Sequence, residues 1–269
     1  MTRIVVHAGF HKTGTTSLQD YLRHNRVQLT EHAAIYLKED LRDAANTTRH
    51  FGMRPHPWRL WRFRRALRRF LAGINPAPQI FLSWEGFSGV MPGHQRLLSG
   101  QVQDFTRAAI PLARAIVAEL RRRFGPACRI EFLYTLRDRE SWVRSVWGHL
   151  VRSIRLTQDF DTFRQSLRDL PPLDAEAARI ARALAPVPVH TSWLEDSGPD
   201  PLGPAGAALR LLNVPETVLA GLPPAPARNL ADPPELSAAY LQLNRTLRDK
   251  TALKREKALL KAEFERRQR

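Results

Sequence analysis

One cysteine, Cys128, stands in a chain of 269 residues. An intrachain disulfide is therefore excluded, and a reducing compartment fits without being required. No uninterrupted apolar run reaches the length of a membrane span. Met1-Thr2-Arg3 passes straight into an apolar run, with neither a hydrophobic signal segment nor a cleavage site. The expectation is a cytoplasmic protein, with peripheral membrane contact left open. There is no internal repeat and no heptad long enough to define a coiled coil. Acidic residues are scarce, 26 against 42 Lys and Arg, so the formal charge is +16. Such a surplus draws anions from a distance. Its arginines suit bidentate recognition of phosphate or sulfate. Charge alone does not choose among nucleic acid, anionic lipid, acidic polysaccharide and a small polyphosphate. No zinc-finger or other specific nucleic-acid signature accompanies it. The histidines have no metal-ligand spacing, so no metal is expected.

What the chain does have is a phosphate-cradle pattern near its start. Ile4-Val5-Val6 reads as a short buried strand. It feeds a loop in which Gly9 and Gly14 stand five apart with Lys12 between them, followed by the hydroxyls of Thr15, Thr16 and Ser17. Leu18, Tyr21 and Leu22 then fit one helix face. Strand, glycine loop and helix start let backbone N–H groups surround an anion. Gly9 and Gly14 allow close approach, Lys12 adds a mobile charge, and Thr15 or Thr16 can cap the helix. A nucleoside-triphosphate loop needs Lys directly after its second glycine. Here Thr15 holds that place, which argues against an ordinary ATPase or GTPase. The plainer alternative is a glycine turn beside a surface lysine.

Further strands are expected within Ala34-Ile35-Tyr36-Leu37, within residues 79–86, at Arg129–Leu136 and, as an edge, within residues 187–193. Pro188 argues against a central position for the last. Helical patterns lie between them. The segment 58–74 combines an apolar face, Leu60, Phe63, Leu67, Phe70 and Ile74, with six arginines and two tryptophans. It reads as a surface helix with solvated arginines, as part of an acidic-substrate cleft, or as a membrane contact. The overall expectation is an α/β fold with a central, mostly parallel sheet. Ligands bind outside the carboxyl ends of such strands. Residues 1–230 are expected to form one domain, with a basic helical insertion near 58–74, and 231–269 a C-terminal helical extension.

The lysine loop resembles the 5'-phosphosulfate loop of sulfotransferases that use PAPS (3'-phosphoadenosine 5'-phosphosulfate). Many members read Pro-Lys-Thr-Gly-Thr-Thr, and this chain has His11 for that proline. A second family motif is a strand followed by Arg, then Ser on the next helix eight residues later. Tyr134-Thr135-Leu136-Arg137 and Trp142-Val143-Arg144-Ser145 match that spacing. The later Arg-Lys-Gly pattern of many cytosolic members is not evident, so the chain looks more like the bacterial or carbohydrate-modifying branches. The resemblance implies a P-loop-like three-layer fold, PAPS as cofactor and adenosine 3',5'-bisphosphate as product. It implies cofactor contacts from His11, Lys12, Thr13, Gly14, Thr15 and Thr16, with Arg137 and Ser145 on the 3'-phosphate. Lys12 would also assist catalysis. Glu85, in Ser83-Trp84-Glu85, resembles the glutamate base of some members. A capping or salt-bridged glutamate is the bland alternative. His7 lies too early in its strand to be a comfortable base, while His11, His56 and His94 are backups. The expected acceptor bears a hydroxyl, as in a saccharide or anionic polysaccharide. The competing readings are a nucleotide-dependent phosphotransferase and a noncatalytic polyanion- or membrane-binding protein.

Overall fold

A computed structural model of the chain describes residues 1–96, 100–226 and 232–267. In chain order the elements begin β1 (Arg3–Gly9), α1 (Thr15–His24), α2 (Arg26–Leu29), β2 (Ala34–Tyr36), α3 (Lys38–Leu41), α4 (Asp43–Met53) and α5 (Pro57–Ala72). Then come β3 (Gln79–Ser83), β4 (Gln95–Arg96), β5 (Gly100–Gln101), α6 (Thr106–Phe124), β6 (Arg129–Leu136), α7 (Arg139–Ser153), α8 (Phe160–Ser166) and α9 (Leu173–Leu184). The last are β7 (Val189–Trp193), α10 (Gly206–Leu211), α11 (Glu216–Gly221), α12 (Pro234–Thr246) and α13 (Lys250–Arg267). Among the described residues, no helix is long and apolar enough to cross a membrane.

The chain divides into two compact units. The first, residues 1–138 and 171–228, is an α/β unit around a five-stranded sheet of order β2-β3-β1-β6-β7. Every neighbouring pair in that sheet is parallel. Parallel strands are joined by crossovers, so both sheet faces are covered and the strands read as continuous apolar runs. Ile4, Val5 and Val6 are all fully buried, as expected for a central strand. Val5, Ile35, Phe81 and Leu133 share one face with Leu18 and Leu22 of α1 and Ala208 and Leu209 of α10. Their sequence neighbours Ile4, Val6, Ile80, Leu82 and Phe132 alternate to the other face and are equally buried. There α6 packs against α9, and α9 against β6 and β7. β7 is an edge strand, in keeping with Pro188 just before it.

Helix α5 starts where local chemistry predicts. His56 is its N-cap, accepting a hydrogen bond from the Trp58 backbone, and Pro57 takes the first helical position. Its buried stripe is Phe63, Ala66, Leu67 and Leu71; Leu60 and Phe70 are only half-buried, and Ile74 lies beyond the helix end. Arg64 and Arg68 are not simply solvated: with Arg122 of α6 they surround the fully buried Glu119 carboxylate at 2.9, 3.0 and 2.9 Å.

The second unit comprises Arg139–Leu170 and Asn229–Arg269. The expected boundary at 230/231 lies outside the described residues. Val151, Leu236 and Tyr240 form its small core, with Trp147, Leu241, Leu260 and Phe264 packed against it. Asn244 donates to the carbonyls of Val151 and Leu156 at 2.9 and 2.8 Å. Lys257 donates to those of Val151 and Ile154 at 2.7 and 2.9 Å, closing the C-terminal end of α7. Burial lowers the Lys257 pKa to about 8.

Candidate functional site

The carboxyl ends of β3, β1 and β6, three adjacent strands, carry Glu85, the lysine loop and Arg137. β1 shifts register against β6 between His7 and Gly9. Such an irregularity re-aims the chain at a strand end. The Phe10 amide still donates to the Thr135 carbonyl at 3.0 Å. The Phe10 ring, fully buried, lies 4.5 Å from Phe105 and 5.0 Å from Tyr134. This anchor fixes where the loop begins.

The loop is a run of left-handed turns. Gly9, Lys12 and Gly14 have φ of 91°, 66° and 85°. A non-glycine residue at positive φ is uncommon and clusters at functional sites. A Cβ on Gly9 would stand 2.8 Å from the Glu85 Cβ, and one on Gly14 would stand 2.7 Å from Leu194 Cδ1. At Gly9 the clash is with Cβ and backbone and only glycine fits; at Gly14 the near atom is the end of a flexible side chain, and it is the positive φ that favours glycine. Gly14 is the N-cap of α1 and supplies no side-chain hydrogen bond. The expectation that Thr15 or Thr16 caps the helix is therefore corrected, because both already lie within its first turn. With no capping side chain at Gly14, the helix opens on backbone donors and the positive end of its dipole.

The loop residues divide by direction. Thr16 is exposed, Lys12 and His11 are half-buried, and Thr13 and Thr15 are buried. The Thr13 hydroxyl donates to the Phe10 carbonyl at 2.6 Å and lies 2.6 Å from the Thr135 hydroxyl. That side chain holds the loop, so Thr13 has only its backbone to offer a ligand. His11 Nε2 donates to the Gly89 carbonyl at 3.0 Å, and its ring stacks 6.3 Å from Phe105. Burial lowers the His11 pKa, against an opposing pull from Glu85. His94 is held at about 4, first by burial and then by His11 and Arg49. His56, the other backup base, is occupied as the N-cap of α5.

Glu85 opens a 3-10 turn directly after β3 and is half-buried. Its Oε2 accepts from Gln19 Nε2 at 2.9 Å, which ties the carboxylate to α1. Arg137 follows β6, and its Nη1 donates to the Lys12 carbonyl at 3.3 Å. Burial lowers the Arg137 pKa from the ordinary arginine value, while Glu195 and Asp138 oppose the shift. Loop, Glu85 and Arg137 thus come together in the first unit. Ser145 is half-buried on α7, in the second unit, and its expected role rests on its spacing from Arg137. Among the described residues, no group of three or more His, Cys, Asp or Glu gathers as a metal site would need.

The sequence reading missed a polar chain beneath the loop. His7 is fully buried, with Nδ1 2.7 Å from Ser83 Oγ and Nε2 3.4 Å from Thr135 Oγ1. Counting donors fixes its direction. Thr13 gives its proton to Phe10, so Thr135 donates to Thr13, His7 Nε2–H to Thr135, and Ser83 to His7 Nδ1. Burial lowers the His7 pKa to about 3, so the ring is neutral. The one signal in the sequence was a histidine inside an apolar strand, whose partners lie 76 and 128 residues away. No family model and no curated protein gives a significant match to this chain.

Proposed function

We propose that the protein is a PAPS-dependent sulfotransferase with a P-loop-like three-layer fold, acting in the cytoplasm on the hydroxyl of a carbohydrate or other alcohol. The observation that carries this reading is the meeting of the Gly9–Thr16 loop, Glu85 and Arg137 at three adjacent strand ends. The donor set fits an anionic nucleotide: a helix start with no capping side chain, Lys12, and a desolvated guanidinium. Arg137 suits the 3'-phosphate; a role for Ser145 is proposed from its spacing in sequence alone. In the transfer, Glu85 takes the acceptor's hydroxyl proton as its oxygen bonds to sulfur. The bridging S–O bond breaks, and its electron pair remains on the departing phosphate. Lys12 and the first-turn N–H groups stabilise that charge. Gln19 keeps the Glu85 carboxylate oriented.

Calorimetry with PAPS, adenosine 3',5'-bisphosphate and ATP tests the cofactor. PAPS and its product should bind, and ATP should bind far more weakly. Equal affinity for ATP and PAPS would reject the assignment in favour of a phosphotransferase. A labelled-PAPS screen over saccharides, lipids, peptides and small alcohols then identifies the acceptor. A noncatalytic protein would bind polyanions without releasing adenosine 3',5'-bisphosphate.

A further inference from the structure

A second constellation of the first unit lies between α4 and α5. Thr47 and His50 of α4 and Arg59 and Arg62 of α5 line a cleft of about 210 Å³. Among the described residues, no carboxylate lines it. Arg59 is fixed by donating to the His50 carbonyl at 2.7 Å. Arg62 has no acidic partner among the described residues. Trp58 lies one helical turn from Arg62, so the two are surface neighbours. Trp58 and Trp61 are 58% and 46% exposed, yet their rings stack at 4.6 Å and 13°. Arg65 lies 5.6 Å over the Trp61 ring. A flat apolar platform therefore adjoins a donor-rich, positively charged cleft.

We infer that this cleft binds a carboxylate- or sulfate-bearing sugar residue of an acidic saccharide. The guanidinium groups match the anionic substituent, Thr47 and His50 offer partners for ring hydroxyls, and the exposed tryptophan receives the apolar face of a sugar ring. The volume is below the usual range for drug-sized ligands, so one residue of a chain fits better than a large molecule. A membrane is the poorer occupant. An interfacial helix lays its apolar face in lipid. The apolar face of α5, Phe63, Ala66, Leu67 and Leu71, is already in the protein core. A single-stranded nucleic acid wants successive stacking platforms along a groove, whereas these two rings stack on each other. Helix α4 also ties the cleft to Glu85. Thr48, beside Thr47, accepts from Trp84 Nε1 at 3.0 Å, and Trp84 directly precedes Glu85. That the bound saccharide is the acceptor rests on the sulfotransferase reading; the binding itself does not.

The test titrates the full-length protein, without PAPS, with a heparin hexasaccharide and with neutral cellohexaose. Tryptophan fluorescence and calorimetry report binding at about 150 mM salt, where long-range attraction is screened. The heparin hexasaccharide should bind and cellohexaose should not. Arg62→Ala and Trp58→Ala should each weaken binding at least about tenfold, the scale of one charged contact. Arg182→Ala, which removes the same charge from α9, should change it less than about twofold. Circular dichroism checks folding, and Arg62→Lys, which keeps the charge but not the fork, should lose affinity in part. Equal losses in Arg62→Ala and Arg182→Ala would overturn the proposal as diffuse attraction. So would Arg62-dependent binding of phosphatidylserine vesicles or of a DNA dodecamer in place of the hexasaccharide. Saccharide binding by a protein that ignores PAPS would keep the cleft and remove the transferase. PAPS turnover without saccharide binding would do the reverse.

Discussion

Lys12, Glu85 and Arg137 are asked for three different things, and single substitutions separate them. Under the proposed sulfuryl transfer, Lys12→Ala should lower turnover more than PAPS affinity, because its charge would be needed most as the S–O bond breaks. Near-normal turnover would remove it from that role. Arg137→Ala should instead weaken binding and erase the preference for PAPS over its 3'-dephosphorylated analogue. Glu85→Gln keeps the shape and the Gln19 contact but cannot take a proton. Single-turnover transfer by the saturated enzyme should fall roughly 10²–10⁴-fold with PAPS binding retained; equal rates across pH would make Glu85 structural. Gly14→Ala probes the loop itself. A left-handed alanine costs about 1–2 kcal/mol from backbone sterics alone. Its Cβ would also press on Leu194, but on the flexible end of that side chain. Thermal unfolding should show a loss of about that backbone figure. At this scale the positions of Lys12, Gly14 and Arg137 just past strand ends were legible, because the strand, glycine and turn signals are local. The inward turn of Thr13 was not, because Thr135, the strand residue that turns it, is 122 positions away.

At the scale of elements, two buried polar groups join strands and helices, and both give pH signatures. Neutral His7 links β3, β1 and β6 to the loop. Its folded pKa of about 3 lies below the ordinary value of 6.5, so unfolding takes up a proton between them. The His7 contribution is fully present above about pH 6.5 and is lost as pH falls toward about 3, at up to about 1.4 kcal/mol per pH unit. His94, at about 4, acts with the same sign. Urea unfolding at several pH values should show this decline, and His7→Gln should flatten it. A slope unchanged by His7→Gln would exclude His7 as its source. Burial alone would raise the Glu119 carboxyl, but hydrogen bonds from Arg68, Arg122 and Arg64 outweigh it and hold Glu119 at about 2. Glu119→Gln leaves three arginines facing one another and should cost roughly 1–3 kcal/mol. Any one Arg→Ala change there should cost less, since two partners remain. The helix α5 was visible in its apolar spacing, but the arginines anchored on Glu119 were not. Helical periodicity says which residues face out, not whether a carboxylate from another helix meets them.

Across the whole molecule, a net charge of +16 should govern how fast an anionic nucleotide arrives. If PAPS is the proposed cofactor, its association rate should fall steeply with added salt while dissociation changes little; stopped-flow fluorescence measures both. A salt-independent association rate would mean that the positive surface plays no part in capture. The α/β character, the alternation of strands and helices and the edge position of β7 could be read from sequence, because apolar runs, glycines and prolines act over short distances. So could the lysine loop, whose strand, glycines and helix start are contiguous. Tertiary structure alone decided that β3 and β6 flank β1, since parallel strands pair across long crossovers that leave no local trace. That choice of neighbours sets Glu85 against Gly9 and Arg137 against Lys12. It also threads His7 into a hydrogen-bond chain, and packing of α4 beside α5 turns a run of arginines and tryptophans into a cleft.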